Sequence, residues 1–230
     1  MKRKSNLKIL FTAIILLMEL CACRQNLKPA EQTAVDPLEE GAEENVKAST
    51  VINADTFFIY RNYKDPVNHG VPSGYMGDLG DIEIDTQCRY YPFKGLQCVK
   101  ITYHAEGGGP HACGYSPCNW AGVYWLAGQD NWGHNESDFG YNLSGYTRCV
   151  FYARAEKVCT IEFQVGGLNS SYGDSSGKKE YIRLTTDWKQ YEIDLADYDL
   201  SRILGLFCWV TNQNANPGGA IFYLDEIMFL

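Results

Sequence analysis

The sequence predicts an all-β fold, a two-sheet antiparallel β-sandwich of the jelly-roll type, and three observations carry that expectation. Apolar residues alternate with polar ones in run after run, the period of a strand that buries one face. Clusters of Gly, Pro, Asn, Asp and Ser punctuate those runs, as in Gly107-Gly108-Gly109-Pro110, residues 170–177 and residues 212–219. The aromatic load is high, with sixteen Tyr and five Trp against four Met, and all the Tyr and Trp fall after residue 50. A closed barrel is the other architecture that this pattern allows.

Residues 1–22 read as an export signal. Lys2, Arg3, Lys4 and Lys8 make a basic start, and Ile9 to Leu20 is apolar apart from Thr12 and Glu19. That run is too short and too interrupted for a stable membrane span. Leu20-Cys21-Ala22-Cys23 then resembles the bacterial lipobox, a branched apolar residue and two small ones before the cysteine that is acylated. The expectation is a lipoprotein of the bacterial cell envelope, held by a lipid on Cys23 at an outer membrane and facing either the periplasm or the exterior. Its alternative is a soluble secretory signal cut nearby. The full chain carries −8 and residues 1–22 carry +3, so processing leaves −11. A nucleic-acid or anionic-lipid partner needs a basic face, so that balance argues against both, and membrane contact is left to the lipid.

Residues 23–50 have the composition of a tether. Glu31, Asp36, Glu39, Glu40, Glu43 and Glu44 stand there among alanines and two prolines, with no aromatic residue. Such a stretch buries too little apolar area to offset the entropy of ordering it. A short helix near residues 37–47 is the alternative. Residues 51–230 are enough for one domain with a full core.

Within that domain the strands follow from alternation. Val99, Ile101 and Tyr103 interleave with Lys100 and Thr102; Cys149, Phe151 and Ala153 with Arg148, Tyr152 and Arg154. Ile161, Phe163 and Val165 alternate with Glu162 and Gln164, and Tyr191, Ile193 and Leu195 with Glu192 and Asp194. Leu206, Cys208 and Val210 alternate with Phe207 and Trp209, and Phe222, Leu224 and Ile227 close the chain. About eight to ten short strands result.

The C-terminal third adds a pattern: Thr186-Asp187-Trp188, Tyr191, Ile193-Asp194-Leu195, Ile203, Phe207-Cys208-Trp209 and Phe222 to Ile227. With Trp120-Ala121-Gly122-Val123-Tyr124-Trp125 and Phe151-Tyr152-Ala153-Arg154, it is similar to the galactose-binding-like β-sandwich modules, above all the carbohydrate-binding modules of bacterial glycan-degrading enzymes. The resemblance runs from about Asp55 to Leu230. It implies a face whose aromatic rings stack on sugars and a structural calcium that joins the chain ends. The physics agrees, since a sugar ring presents a patch of C–H groups that a flat aromatic surface buries.

If Leu206, Cys208 and Val210 face inward, Phe207 and Trp209 face out as a platform. The resemblance places Trp209 at a strand-end ligand position and Trp125 at a second contact. Trp132 sits in the polar loop Gly128 to Gly133, and Glu162, Gln164 and Asn212 stand where neighbouring strands or loops supply hydrogen bonds. Trp188, opening a strand after a turn, reads as structural. For the calcium, Asp55 precedes the first strand and Asp225 matches the family's terminal acidic residue.

Catalysis finds less support. Glu83-Ile84-Asp85 begins like the Glu-x-Asp-x-x-Glu strand of one glycoside-hydrolase family, but the third carboxylate position is Cys88. Glu162 and Glu192 have nothing to mark them as a pair. His111-Ala112-Cys113 and Cys118 lack an evident fourth zinc ligand, and a Cys113–Cys118 disulfide is the plainer expectation in an exported protein. Cys88–Cys98 is a second candidate pair, Cys208 is expected buried, and Cys149 and Cys159 are not expected to pair. The expected function is capture of a polysaccharide or oligosaccharide without catalysis, alongside other surface glycan-processing proteins. A protein-interaction scaffold and a jelly-roll glycoside hydrolase are the competing classes.

Overall fold

The computed structural model describes residues 56–230; Cys23, the tether and Asp55 lie outside the described residues. Eleven strands and one 3-10 turn make up the domain. One sheet has six strands: β3 (Ile82–Cys88), β4 (Cys98–Tyr103), β11 (Ala220–Phe229), β6 (Arg148–Ala155) and β9 (Lys189–Asp194) in that order, with β1 (Phe57–Tyr60) beside β11. The other has five, in the order β2 (Val71–Gly77), β5 (Trp120–Leu126), β10 (Gly205–Asn212), β7 (Cys159–Gly166) and β8 (Gly177–Leu184). Every pairing is antiparallel. The sandwich is therefore the one that the alternation predicts, open at its edges and not closed into a barrel.

β11 shows how the ends of the domain meet. Ala220 to Leu224 pair with β4, while Ile227 to Phe229 pair with β1. The exchange of neighbours falls at a bulge over Asp225 and Glu226, and Glu226 has φ 47. An extra residue here lets one edge serve two partners.

The core lies between the sheets and is largely aromatic. Phe151 and Phe163 have ring centroids 4.6 Å apart, Phe207 lies 5.1 Å from Phe151, and Trp209 meets Phe222 edge-on at 5.4 Å. Trp125 meets Phe207 at 5.8 Å. Rings from β7 and β10 thus interlock with rings from β6 and β11, the packing that a sandwich needs to fill the space between its sheets.

Two buried aspartates brace the loops at one end. Asp78 accepts hydrogen bonds from the Cys118 and Asn119 amides and contacts His111 Nδ1 at 2.9 Å. Asp81 accepts from the amides of Gly107 and Gly108. Cys113 and Cys118 form the expected disulfide. With both sulfurs bonded and His111 on Asp78, the zinc alternative has no ligand set. Cys88 and Cys98 face one another across β3 and β4 but stay separate thiols. Cys208, Cys149 and Cys159 are buried thiols as well.

Candidate functional site: the outer face of the five-stranded sheet

Register assembles this face row by row. Met76, Gly122, Val210, Glu162 and Tyr181 are cross-strand partners in one line over all five strands. The next line holds Gly74, Tyr124, Cys208, Gln164 and Lys179. Side chains at these positions point away from the core, because their chain neighbours Val123, Trp209 and Phe163 point into it.

Half of the face is covered. The loop after β5 lays Trp132 on Tyr124, with centroids 6.2 Å apart, over a second apolar cluster of Leu126, Leu168, Leu204 and Cys208. Ser170 ties that loop to the one after β7 by donating to the Trp132 carbonyl at 2.6 Å. Asp174 anchors the loop after β7 to the start of β10, accepting from the Leu168, Leu204 and Gly205 amides. Its burial raises the carboxyl pKa despite those bonds.

The other half is open. Gly122 at its centre carries no side chain and is itself buried, since Val210 Cγ2 stands 2.8 Å from where a Cβ would be. Met76 and Val210 flank it, half-buried. Beyond them stands a polar cluster on β7 and β8. Glu162 lies 3.4 Å from Lys179 Nζ, and hydrogen bonding to Glu162 raises the pKa of the Tyr181 hydroxyl. Tyr181 is 67% exposed, a flat ring at the sheet edge.

Two expected contacts are overturned. Trp209 and Trp125 are both 0% exposed and sit in the inter-sheet core. For Trp209 the reason is a register shift between Gly205 and Phe207, which sends Leu206 and Phe207 together into the main core, whereas Trp125 shares the inward face of β5 with Val123. Counting alternate residues from Leu206 therefore gives the wrong face for everything after it. Cys208 looks like a core residue because loops cover its side of the sheet, while Val210 is an apolar residue on the open half of the outer face. The remaining expectations divide. Glu162 and Gln164 share the outer face, Trp132 lies half-buried where the loop meets it, and Asn212 follows at the end of β10. Gln164 turns its amide onto the Gly166 carbonyl at 2.8 Å. Asn212 accepts from the Ala215 amide and shapes the turn into β11.

Tyr181 and Lys179 were not singled out from the sequence. The signal was there: Lys178 to Arg183 carries four charged residues in six around Tyr181, the mark of an edge strand.

Asp225 is fully buried at the β11 bulge. Its oxygens accept from the Lys94 and Glu226 amides at 3.0 and 2.9 Å, and burial raises its pKa to about 7. Among the described residues no group of three acidic, His or Cys side chains could hold a metal there. Asp225's oxygens are thus met by backbone amides, and Asp55, the other expected calcium ligand, lies outside the described residues. Glu162 and Glu192 belong to different sheets and cannot flank one cleft.

No family model and no curated protein sequence matches the chain. Solved structures do. A family 30 carbohydrate-binding module of a cellulosomal cellulase from Clostridium thermocellum superposes with TM-score 0.51 at 14% identity, over 76% of this chain and 96% of that one. A family 11 carbohydrate-binding module from Clostridium thermocellum, solved with a β-1,3-1,4-mixed-linked tetrasaccharide, gives TM-score 0.44 at 16% identity over 68% and 87%. In fold, this chain is an all-β sandwich similar to that family 30 carbohydrate-binding module.

Proposed function

We propose that the domain binds a glycan without hydrolysing it, through the open half of the five-stranded face. The row Met76, Gly122, Val210, Glu162 and Tyr181 carries this reading. The half-buried Met76 and Val210 accept a sugar's C–H face, an exposed ring at the sheet edge stacks on the next unit, and Glu162 and Lys179 offer an acceptor and a donor to hydroxyls. Charge pairing fixes both polar groups before a ligand arrives, which lowers the entropy lost on binding. The fold shared with carbohydrate-binding modules supports the same reading. In this proposal the lipid on Cys23 holds the protein at the cell envelope, and residues 24–50 let the domain reach a polymer.

The protein without residues 1–22, carrying Cys23→Ser, should retain neutral polysaccharides in affinity gels and bind on a glycan array. Silence on every glycan together with a protein partner recovered by pulldown would favour a scaffold. Release of reducing sugar would favour a hydrolase.

A further inference from the structure

The outer face of the six-stranded sheet holds a cavity of about 800 Å³, lined by Asp85, Arg89, Tyr90, Lys100, Arg154 and Glu156 among others. Register puts Asp85, Lys100, Tyr223 and Arg154 in one line across β3, β4, β11 and β6. Arg154 is the unusual member. It is 6% exposed, its guanidinium carbon lies 3.7 Å from the Tyr223 ring centroid, and the Tyr90, Tyr91 and Trp188 rings stand 5.4 Å away. One terminal nitrogen donates to the Tyr90 carbonyl at 3.2 Å, while the buried Nε has no partner.

Among the described residues no ion pair involves Arg154, Arg89 or Lys100. The two carboxylates of the cavity have other hydrogen-bond donors: Asp85 accepts from the Gln87 amide and Glu156 from the Tyr223 hydroxyl. Three cations and two carboxylates therefore line one cavity, a local excess of one positive charge in a chain whose net charge is −8, and neither carboxylate pairs with Arg154. A buried guanidinium without a counter-charge is costly, and a bound carboxylate would relieve it through parallel N–H···O bonds. Tyr90, 67% exposed beside it, offers a ring to whatever carries that carboxylate.

We propose that this cavity is a second binding site, which takes the carboxylate of an acidic sugar. Arg154, Arg89 and Lys100 hold the carboxylate of a uronic acid residue, and Tyr90 packs along its ring. A dense polyanion does not fit, because the protein's negative charge repels it beyond this one cationic spot. The site shares no residue with the five-stranded face and does not depend on it.

Calorimetry with oligogalacturonate, with oligoglucuronate and with their carboxyl-reduced neutral forms, at low and raised salt, tests the idea on the chain without residues 1–22 carrying Cys23→Ser. At least one acidic oligomer should bind, about ten-fold tighter than its reduced form, and weaken as salt rises. Lys100→Ala and Arg89→Ala should each weaken it several-fold with the melting temperature unchanged, since both side chains reach solvent; Arg154→Lys should do so by losing the planar fork. Tyr181→Ala should leave it intact. Failure of both acidic oligomers, equal binding of the reduced forms, or indifference to Lys100→Ala and Arg89→Ala would overturn the proposal. Loss of acidic binding in Tyr181→Ala would assign it to the other face and overturn it too. Silence on neutral glycans would count against the first site alone.

Discussion

On the five-stranded sheet, Glu162 stands between a lysine and a tyrosine hydroxyl supplied by the adjacent strand. On the six-stranded sheet, Arg154 stands among four aromatic rings and meets no carboxylate. The difference is one of register. Lys179 and Tyr181 are brought beside Glu162 by strand pairing, whereas Asp85, in the same row as Arg154, is three strands away, about 14 Å at normal strand spacing. Coverage differs too. Apolar packing of Trp132 closes half of the first face, while the second is crossed by the segment 89–97, which is tied down by polar groups and one stack. Phe93 lies on Tyr152 at 3.7 Å, Trp188 donates to the Tyr91 carbonyl, and Lys94 bonds Asp225 and Glu226. A face closed by apolar contact is insensitive to pH and salt; one closed over a buried carboxylate is not.

The largest expected effect tests the core on which both faces rest. Trp209→Ala should cost about 3–5 kcal/mol in urea unfolding by leaving a cavity between the sheets. A near-wild-type midpoint with lost glycan binding would restore Trp209 to the surface and dissolve the contrast.

Asp225 tests the sensitivity of the six-stranded face. Its carboxyl, near 3.8 when unfolded, rises to about 7 in the fold. A raised pKa means that its contribution to stability is complete below pH 4 and is lost as pH climbs to 7. Melting temperature should therefore decline across that window, by about 2–4 °C for each kcal/mol lost. Asp225→Asn should flatten the decline. An unchanged slope in that variant would separate segment 89–97 from the Asp225 charge.

Tyr181→Ala should weaken neutral-glycan binding by about 1–2 kcal/mol in calorimetry while shifting stability by less than about 0.5 kcal/mol. Full affinity in the variant would move the platform away from β8. The smallest effect should come from Phe93→Ala, about 0.5–1.5 kcal/mol for one lost aromatic pair. Hydrogen exchange should then quicken in residues 89–97 and not in the loop carrying Trp132. Equal quickening in both would show that the two coverings are not independent.

How much of this was legible in the sequence varies from residue to residue. Glu162 and Gln164 were placed on an outer face correctly because β7 runs without interruption, so parity counted from Ile161 holds to its end. The same counting failed on β10, where the shift at residues 205–207 reversed the faces. Tyr181 was readable as an edge-strand tyrosine, and Arg154 was readable as a cation opposite Ala153. What neither strand could announce was its neighbour.

The sequence alone determined the all-β class, the strands around residues 99, 151, 163, 193, 208 and 224, and the Cys113–Cys118 bridge, because period-two patterning and short-loop closure are local properties. Only the tertiary structure decided that Trp125 and Trp209 fill the core, that loops bury Cys208 from outside, and that Arg154 lacks the carboxylate Glu162's partners would lead one to expect. Those outcomes depend on which strands lie side by side and in what register, and residues far apart in the chain set both.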